Sequence, residues 1–350
     1  MKIRKALFFI FCLFTGYHAL AQLGGRTTYG FLNLPYSARV TALGGNLISV
    51  KDNDLNLVQS NPSLLTDSMG GNVAMSFSNY IVGINYGSFA IAKRFKHGGN
   101  FCAGVNYLDY GKMSRADAVG NQSGEFGANE TCFNLAYAHP VVDSNFTIGV
   151  NLKTISSHME NYTSIGSALD FGVTFKNPNH SFTFAYVVKN VGLVWKPYVE
   201  GHRENLPFEM QMGISLKPKQ FPVRLSVIYE NLEKWDLVYN NPNISAPLDP
   251  LTGEGIEEKK GKVFGDKLMR HIVIGTEFMV TKNLFLRLGY NYQMQVELNN
   301  PAPNKFSGCS FGFGFRIYKF HFSYGRAVYN LAGVTNNFSI SFNLNSFYTK

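Results

Sequence analysis

The chain has 350 residues, a formal net charge of +9, and 15% aromatic but only 16% charged residues. Its charges are scattered apart from EEKK at 257–260, which excludes a basic stripe for nucleic acid. So many aromatics with so few charges are unusual for a soluble domain, and beyond residue 21 no apolar run reaches the ~18 residues of a spanning helix.

Residues 1–21 have the pattern of a secretory signal peptide. A basic start at 2–5 precedes an apolar run at about 6–14, and Ala19 and Ala21 have the spacing of a cleavage site. The apolar run is too short to span a bilayer as a helix. We therefore expect export through the inner membrane with removal of 1–21, which takes away three basic residues and leaves +6 of the +9 charge.

The cysteines do not indicate a metal site. Cys12 lies inside the apolar run after large residues, which disfavours the alternative of a lipoprotein signal. Cys102, Cys132 and Cys309 are an odd number without metal-ligand spacing. We expect them to be small apolar or lumen-facing residues, and no cofactor or metal is predicted.

From residue 72 onward the sequence alternates between apolar and polar side chains. In NLFLRLGYNYQMQVE at 283–297, apolar residues recur at every second position from Leu284 to Val296, and Phe285 is the one exception among their partners. A period of two over this length indicates a strand with two different faces. The same pattern predicts 14 strands, at 72–79, 82–95, 99–108, 130–139, 145–157, 163–176, 181–190, 206–217, 222–231, 270–281, 283–297, 305–317, 319–328 and 335–344.

The lengths of the links favour a membrane barrel over a soluble β-sandwich. From the second strand on, short links alternate with longer ones, of which 232–269 is the longest. Outer-membrane barrels separate short turns from long loops in this way, whereas a sandwich has no reason to do so. The sequence therefore predicts an all-β fold, a 14-stranded antiparallel transmembrane β-barrel over 71–350.

The stretch 22–70 before the first strand is predicted to be a plug, or hatch, in the lumen. It neither alternates nor repeats like an amphipathic helix, and a barrel of about 14 strands has a lumen wider than its own side chains fill. The alternative, a flexible tail, is disfavoured by the many apolar residues. Two adjacent glycines permit left-handed or closely packed backbone, and an Asn-Pro pair predicts a helix cap and first helical residue. These plug residues are Gly44, Gly45, Asn61, Pro62 and Ser63.

The stretch 24–65, GGRTTYGFLNLPYSARVTALGGNLISVKDNDLNLVQSNPSLL, also resembles a known signature. Its SARVTALGG, KDNDLNLV and NPSLL motifs are similar to the start of FadL-like outer-membrane barrels, and more closely of the PorV/PorQ family of the type IX secretion system. Ser63 stands where FadL-like proteins commonly have alanine after Asn-Pro. The resemblance implies a 14-stranded barrel with an N-terminal hatch, in the complex that attaches secreted cargo at the cell surface beside PorU, PorV and PorZ-like partners.

The favoured prediction is thus a non-enzymatic outer-membrane component that contacts protein partners through its loops. Trp, Tyr and Arg are typical interface anchors. Two long predicted links contain such residues, and the candidate partner contacts are Trp195, Tyr198, Arg203 and Trp235. Outer-membrane lipid surrounds such a barrel, lipopolysaccharide stays open as a further partner, and no nucleic acid is expected.

Two other functions stay open, and catalysis is not indicated. FadL-like architecture also hosts transporters for hydrophobic small molecules, which need a ligand pocket and a lateral gap or movable hatch. A general porin is a third alternative, which the predicted plug disfavours. Histidines are scattered, and no G-x-S-x-G, H-E-x-x-H or C-x-x-C motif occurs, so we do not expect an enzyme.

Overall fold

The structure is a computed structural model that describes residues 27–81, 83–95, 99–117, 119, 121–141, 145–179, 181–238, 260–298, 306–330 and 333–348. The predicted signal peptide, with Cys12, lies outside the described residues. So do residues 239–259, which make up much of the longest predicted link.

The described strands form one closed antiparallel barrel, as the sequence predicts. Each strand pairs with its neighbours in the chain, and β1 pairs with β14, so no strand edge is left open. The strands are β1 (Asn72–Ile81), β2 (Ile84–Phe95), β3 (Gly99–Ala116), β4 (Gln122–Val141), β5 (Phe146–Met159), β6 (Tyr162–Lys176), β7 (Phe182–Lys196), β8 (Glu209–Leu216), β9 (Val223–Tyr229), β10 (Ile272–Met279), β11 (Leu284–Asn291), β12 (Cys309–Ile317), β13 (Phe320–Asn330) and β14 (Gly333–Asn343).

Helices are few and short in the described part of the chain. Before β1 lie a helix at Ala38–Ala42 and four single turns of 3-10 helix; three more helices lie between or after the strands. The 3-10 turns are Gly30–Asn33, Leu55–Gln59, Pro62–Leu64 and Asp67–Met69, and the later helices are Lys260–Met269, Tyr292–Leu298 and Asn345–Tyr348. None of the helices described is both long and apolar enough to cross a membrane.

The links between strands distinguish the two ends of the barrel. The turn end is where β1 begins and β14 ends, and where the links β2–β3, β4–β5, β6–β7, β8–β9, β10–β11 and β12–β13 lie. The loop end is the opposite one, with the long links β7–β8, β9–β10 and β11–β12. The even strand number places the first and last strand termini together, as predicted.

The two faces of the wall follow the predicted alternation. On β11, Leu286 and Leu288 are 46% and 55% exposed on the outside, whereas Arg287 between them is 2% exposed in the lumen. Phe171 and Val173 on β6 are likewise exposed, and Asp170 beside them is buried. Apolar side chains on the outside suit a hydrocarbon environment, which makes this wall that of a transmembrane barrel.

Three predicted links are shorter than expected. The predicted loop at 109–129 is largely hairpin, because β3 runs to Ala116 and β4 starts at Gln122; the predicted loop at 157–162 is a tight turn; and β7 runs on to Lys196. Beyond the apolar belt both faces of a strand meet water. The period-two pattern therefore disappears although the backbone ladder continues, and the sequence pattern misplaces the strand ends.

The predicted continuation of β11 is also wrong. Residues Tyr292–Leu298 form a helix rather than the end of a strand. The β10 partner begins only at Ile272, and its pairing with β11 ends at Val273 and Asn291. Without a neighbouring ladder, the backbone satisfies its hydrogen bonds within a helix.

Candidate functional site

The N-terminal segment, residues 27–71, crosses the lumen from the loop end to the turn end. Thr27 forms an isolated bridge with Asn205 in the β7–β8 link, and the Gly71 amide donates to the Ala92 carbonyl at the turn end, at 2.8 Å. Between these points most side chains are buried, including Leu32, Leu47 and Leu57 at 0% exposure. The course of the segment is consistent with the predicted plug, but its start at the loop end was not foreseen.

Lumen-facing glycines make room for this segment. A Cβ atom at Gly172 of β6 would lie 2.1 Å from Asn61 Oδ1, and one at Gly149 of β5 would lie 2.4 Å from the Pro62 carbonyl carbon. Equally close approaches occur on the other side, where Gly289 meets Gly44. Any side chain at these wall positions would displace the segment, so wall and segment are fitted to each other.

The Asn-Pro-Ser motif anchors the segment to β6. Asn61 caps the 3-10 turn Pro62–Leu64, as the sequence predicts, by accepting from the Ser63 amide at 3.0 Å. The Asn61 amide group also donates to the Ile48 carbonyl at 2.8 Å and to the Thr174 hydroxyl at 3.1 Å. Ser63 Oγ lies 2.6 Å from the same hydroxyl. The serine therefore adds a contact to the wall that alanine could not make.

Gly44 and Gly45 form a sharp turn near the loop end. Both have φ of 92°, in the left-handed region that favours glycine, as the sequence predicts. The Gly44 amide donates to Ser310 Oγ at 2.9 Å, and a Cβ at Gly44 would lie 2.5 Å from a methyl of Val273. The turn thus lies directly against the wall.

A buried ion network holds the segment towards the turn end. Glu277 of β10 is its centre: Arg39 of the segment donates to both carboxylate oxygens, at 2.9 and 2.7 Å. Arg287 donates to Glu277 at 3.0 Å and Arg224 at 2.6 Å. Removing charges from water is costly unless they are paired. Here Arg39 forms a bidentate pair with Glu277, and Arg224 and Arg287 each donate to the same carboxylate.

Two acidic residues of the segment complete the network. Asp52 and Asp54 accept from Arg39 at 2.8 and 3.1 Å, and Asp52 also accepts from Arg224 at 3.1 Å. Burial opposes the ionisation of Asp52, but the charges of Arg39 and Arg224 outweigh it and hold the pKa of Asp52 well below its usual range. The network therefore contains three arginines and three carboxylates, and its formal charge is zero.

The wall between β7 and β8 is incomplete towards the loop end. These strands pair from Phe182–Leu216 only to Lys189–Glu209, although β7 continues to Lys196. At that point β7 has a bulge opposite Asp170, and Asn190 in it has φ of 58°. A bulge bends a strand and ends its regular pairing.

Buried polar contacts stabilise this bulge. The backbone N–H of Asn190 donates to Asp170 at 2.8 Å, and the side-chain oxygen of Asn190 accepts from Lys153 at 2.8 Å. Lys153 and Asp170, both 1% exposed, form an ion pair at 2.7 Å. The side-chain NH2 group of Asn190 donates to the Pro207 carbonyl and to Asn33 of the N-terminal segment. The bulge thus links the wall, the β7–β8 link and the segment.

A cavity of about 530 Å³ lies beside the bulge. Apolar side chains of β7 and of the residues before β8 line it, together with polar groups of the β7–β8 link and Thr27. Val191 and Leu193 are 41% and 61% exposed, and Phe208 is 43% exposed. The cavity, which we call the wall cavity, therefore lies at the barrel surface next to the start of the described segment.

A second, polar cavity of about 220 Å³ lies within the loop half of the lumen, between the segment and the wall. Glu209, Glu230 and Lys189 line it, and Asn46 of the segment donates to Glu230 at 2.6 Å. Burial and, second, the charge of Glu209 raise the pKa of Glu230 from 4.5 to about 7. The loop half is thus polar and incompletely filled.

The four predicted partner contacts lie at the loop end but in different settings. Trp195 is on β7 rather than in a loop, because that strand extends further than predicted; it is 64% exposed and donates to Ser167 Oγ at 2.8 Å. Tyr198 is half-buried and hydrogen-bonded to Ser157. Arg203 is exposed and lines the wall cavity. Trp235, 46% exposed, packs against Phe264 with ring centroids 5.4 Å apart.

Sequence reasoning missed the ion network and the bulge. Arg287 and Glu277 occupy lumen-facing positions of strands. A charged residue in such a position, with no opposite charge nearby in the sequence, was the signal that could have indicated a buried ion pair. For Asn190 nothing in the local pattern indicated positive φ. Within the residues that the structure describes, no cluster of three or more His, Cys, Asp or Glu could hold a metal ion.

Comparison with solved structures finds outer-membrane transport barrels of similar fold. The Pseudomonas putida toluene transporter TodX aligns with a TM-score of 0.51 at 11% identity over 89% of this chain and 98% of TodX. A deltaS2 mutant of the TodX monoaromatic hydrocarbon channel aligns at 0.53 and 11%, over 89% of this chain and 99% of the mutant. A Pseudomonas aeruginosa FadL homologue aligns more weakly, at 0.47 and 10%, over 87% and 97%. No protein-family model and no curated protein matches the sequence.

These identities support a common fold and nothing finer. The described residues form a closed 14-stranded antiparallel barrel with a fold similar to that of TodX. Membership of the PorV/PorQ family rests on the motif resemblance in residues 24–65 alone.

Proposed function

We propose that the protein is an outer-membrane transporter for hydrophobic small molecules, with the N-terminal segment as a hatch that closes the lumen. The fold shared with TodX and the apolar outer belt support this placement. From the sequence, a role in type IX secretion is the favoured prediction and transport is the alternative, whereas transport is the main proposal here. It involves no catalytic residue and no cofactor.

The observation that carries the proposal is the wall cavity beside the interrupted β7–β8 ladder. A hydrophobic solute cannot cross a polar lumen without cost, so a route through a partly apolar gap in the wall shortens its exposure to water. Val191, Leu193 and Phe208 supply apolar contacts, and the bulge at Asn190 keeps β8 from sealing the gap. The route would then lead from the loop end into the membrane.

Filling the gap tests this proposal. We expect Val191→Trp to lower the uptake of labelled toluene or oleate several-fold in cells whose own gene is deleted. The matched control is Leu152→Trp on β5, which adds the same ring at a position of similar exposure, 45% against 41%, away from the gap. Heat-modifiable migration would verify that both barrels fold. Equal uptake by the two variants would contradict the proposed route.

The second candidate is a component of the type IX secretion system that contacts PorU, PorV or PorZ-like partners, and also lipopolysaccharide, at the loop end. The motif resemblance supports it, together with two exposed tryptophans at that end. Trp195 and the pair Trp235–Phe264 present aromatic surface of the kind that anchors protein interfaces.

Mild detergent solubilisation followed by mass spectrometry separates the two candidates. If the protein serves secretion, we expect surface partners to co-purify and Trp235→Ala to reduce their recovery. Trp195→Ala tests the second aromatic surface in the same way, and toluene uptake should be unaffected by either variant. If it serves transport, no stoichiometric partner should appear, and deletion of the gene should leave secreted cargo attached at the cell surface.

A further inference from the structure

A pocket of about 370 Å³ lies at the turn end, between the N-terminal segment and the barrel wall. Basic side chains from four places converge on it: Lys51 of the segment, Lys176 at the end of β6, Lys217 just after β8 and Arg224 of β9. Asp52 is the acidic residue among the described lining. We call this space the basic pocket.

The charges of the pocket do not cancel. Arg224 and Asp52 belong to the balanced ion network, where Arg224 pairs with Asp52 and Glu277. Among the described residues, no carboxylate lies within ion-pair distance of the three lysines. The basic pocket therefore carries about three positive charges beyond those that the network neutralises.

The lysines also keep hydrogen-bond donors for a ligand. Lys51 Nζ donates to the hydroxyl of Thr147, and Lys176 Nζ donates to the Lys51 carbonyl at 3.0 Å. An ammonium group has three N–H donors, so each of these lysines has further donors available. Hydroxyl groups complete the lining: Thr66, Ser68, Ser181, Thr183 and Ser215.

Two of the lysines lie close together, and neither forms an ion pair with a described carboxylate. Burial and, second, the positive charge of Lys176 lower the pKa of Lys51 from 10.5 to about 8. A bound anion would relieve both effects, because it would replace lost hydration and separate two like charges with an opposite one.

We propose that the basic pocket binds a phosphate-class anion, held by the ammonium groups of Lys51, Lys176 and Lys217 and by the adjacent hydroxyl groups. A doubly charged tetrahedral oxyanion matches an excess of lysine charge better than a single carboxylate does, and lysine binds phosphate as a point charge. The source of the phosphate group is either free phosphate or a lipid headgroup. The proposal is independent of the wall cavity and of any surface partner.

Calorimetric titration of the full-length barrel in neutral detergent with inorganic phosphate, at constant ionic strength, tests the proposal. We expect saturable binding that Lys51→Met weakens about tenfold, since one close charge contact is lost. Lys51→Arg should restore most of the affinity. The matched control is Lys219→Met. Lys219 is an exposed lysine in the β8–β9 turn, where Lys217 also lies, but it does not line the pocket.

Lys217→Met offers a second variant in case Lys51→Met does not fold, because Lys217 is exposed after the end of β8. It should weaken phosphate binding about threefold. No saturable binding by the unaltered barrel, or equal affinity in all variants, would overturn the proposal.

Nanodiscs distinguish the two sources of phosphate. If a lipid headgroup occupies the basic pocket, adding phosphatidic acid to phosphatidylcholine nanodiscs should lower the apparent affinity for inorganic phosphate. If free phosphate is the ligand, the affinity should be the same in both. Either result supports an anion site, provided that Lys51→Met weakens it.

Discussion

At the turn end of the lumen a neutral network of six charged side chains joins the N-terminal segment to the wall, whereas at the loop end apolar packing around Phe31 and Leu32 and single hydrogen bonds hold the segment. Arg39 alone joins Asp52, Asp54 and Glu277 near the turn end. At the loop end, Tyr29 contacts Ser164 at 2.6 Å and Asn33 contacts Asn190 at 2.9 Å, beside a polar cavity.

This difference predicts which part of the proposed hatch opens first. Apolar contacts and single hydrogen bonds at the loop end can be lost one at a time, whereas the turn end would have to lose a whole network of buried charges in one step. The segment is also continuous with β1 at the turn end, so that end is tethered covalently. We therefore expect the parts of the segment near the loop end, residues 27–36 and 43–46, to move while Arg39 and residues 49–71 stay in place.

The largest effect should come from breaking the turn-end network. Glu277→Ala leaves Arg39, Arg224 and Arg287 buried without their shared partner, and loss of one member of a buried pair costs about 3 to 5 kcal/mol. Urea unfolding monitored by heat-modifiable migration measures the loss. The control is Asp67→Asn, which removes an ion pair with Arg94 whose side chains are 57% and 54% exposed, and should cost less than about 1 kcal/mol. Equal losses would contradict a special role for the network.

A smaller effect should follow from loosening the contact between segment and wall. Gly172→Ala places a Cβ 2.1 Å from Asn61 Oδ1, so the Asn61–Ser63 anchor must shift, at about 1 to 3 kcal/mol. We expect brief openings in single-channel bilayer recordings, where the unaltered barrel stays closed.

The control for that experiment is Gly87→Ala on β2, where a Cβ would meet only the Ser76 carbonyl at 3.8 Å. Openings in both variants would mean that alanine weakens the wall in general rather than the segment. Large steady pores in the unaltered barrel would contradict a closed lumen and favour the porin alternative.

The sequence predicts the features of this molecule that depend on local periodicity. Alternating residues such as Leu286, Arg287 and Leu288 predict both the strand and its faces, because the hydrophobic effect sorts them with period two. Asn61 and Pro62 predict their cap because the chemistry of a cap is contained within a few residues.

Features that depend on distant partners could not be predicted in this way. Arg39 and Glu277 are 238 positions apart, and only closure of the barrel brings them together. The basic pocket has the same origin, because charges that are scattered in sequence converge from four places in the fold. The helix Tyr292–Leu298 replaces a predicted strand because its neighbour ends, which is again non-local.

A pH dependence is expected at the loop end. Glu230 has a pKa of about 7 in the folded barrel and an ordinary value of 4.5, so between these pH values the folded state binds more protons than the unfolded one. Stability should therefore fall as pH rises from about 4.5 to 7. Glu230→Gln should flatten this slope by at most one proton, whereas Glu204→Gln, at an exposed loop-end carboxylate, should leave it unchanged. Urea midpoints measured across this range test it. Equal slopes for Glu230→Gln and the unaltered barrel would contradict the assignment of this proton to Glu230.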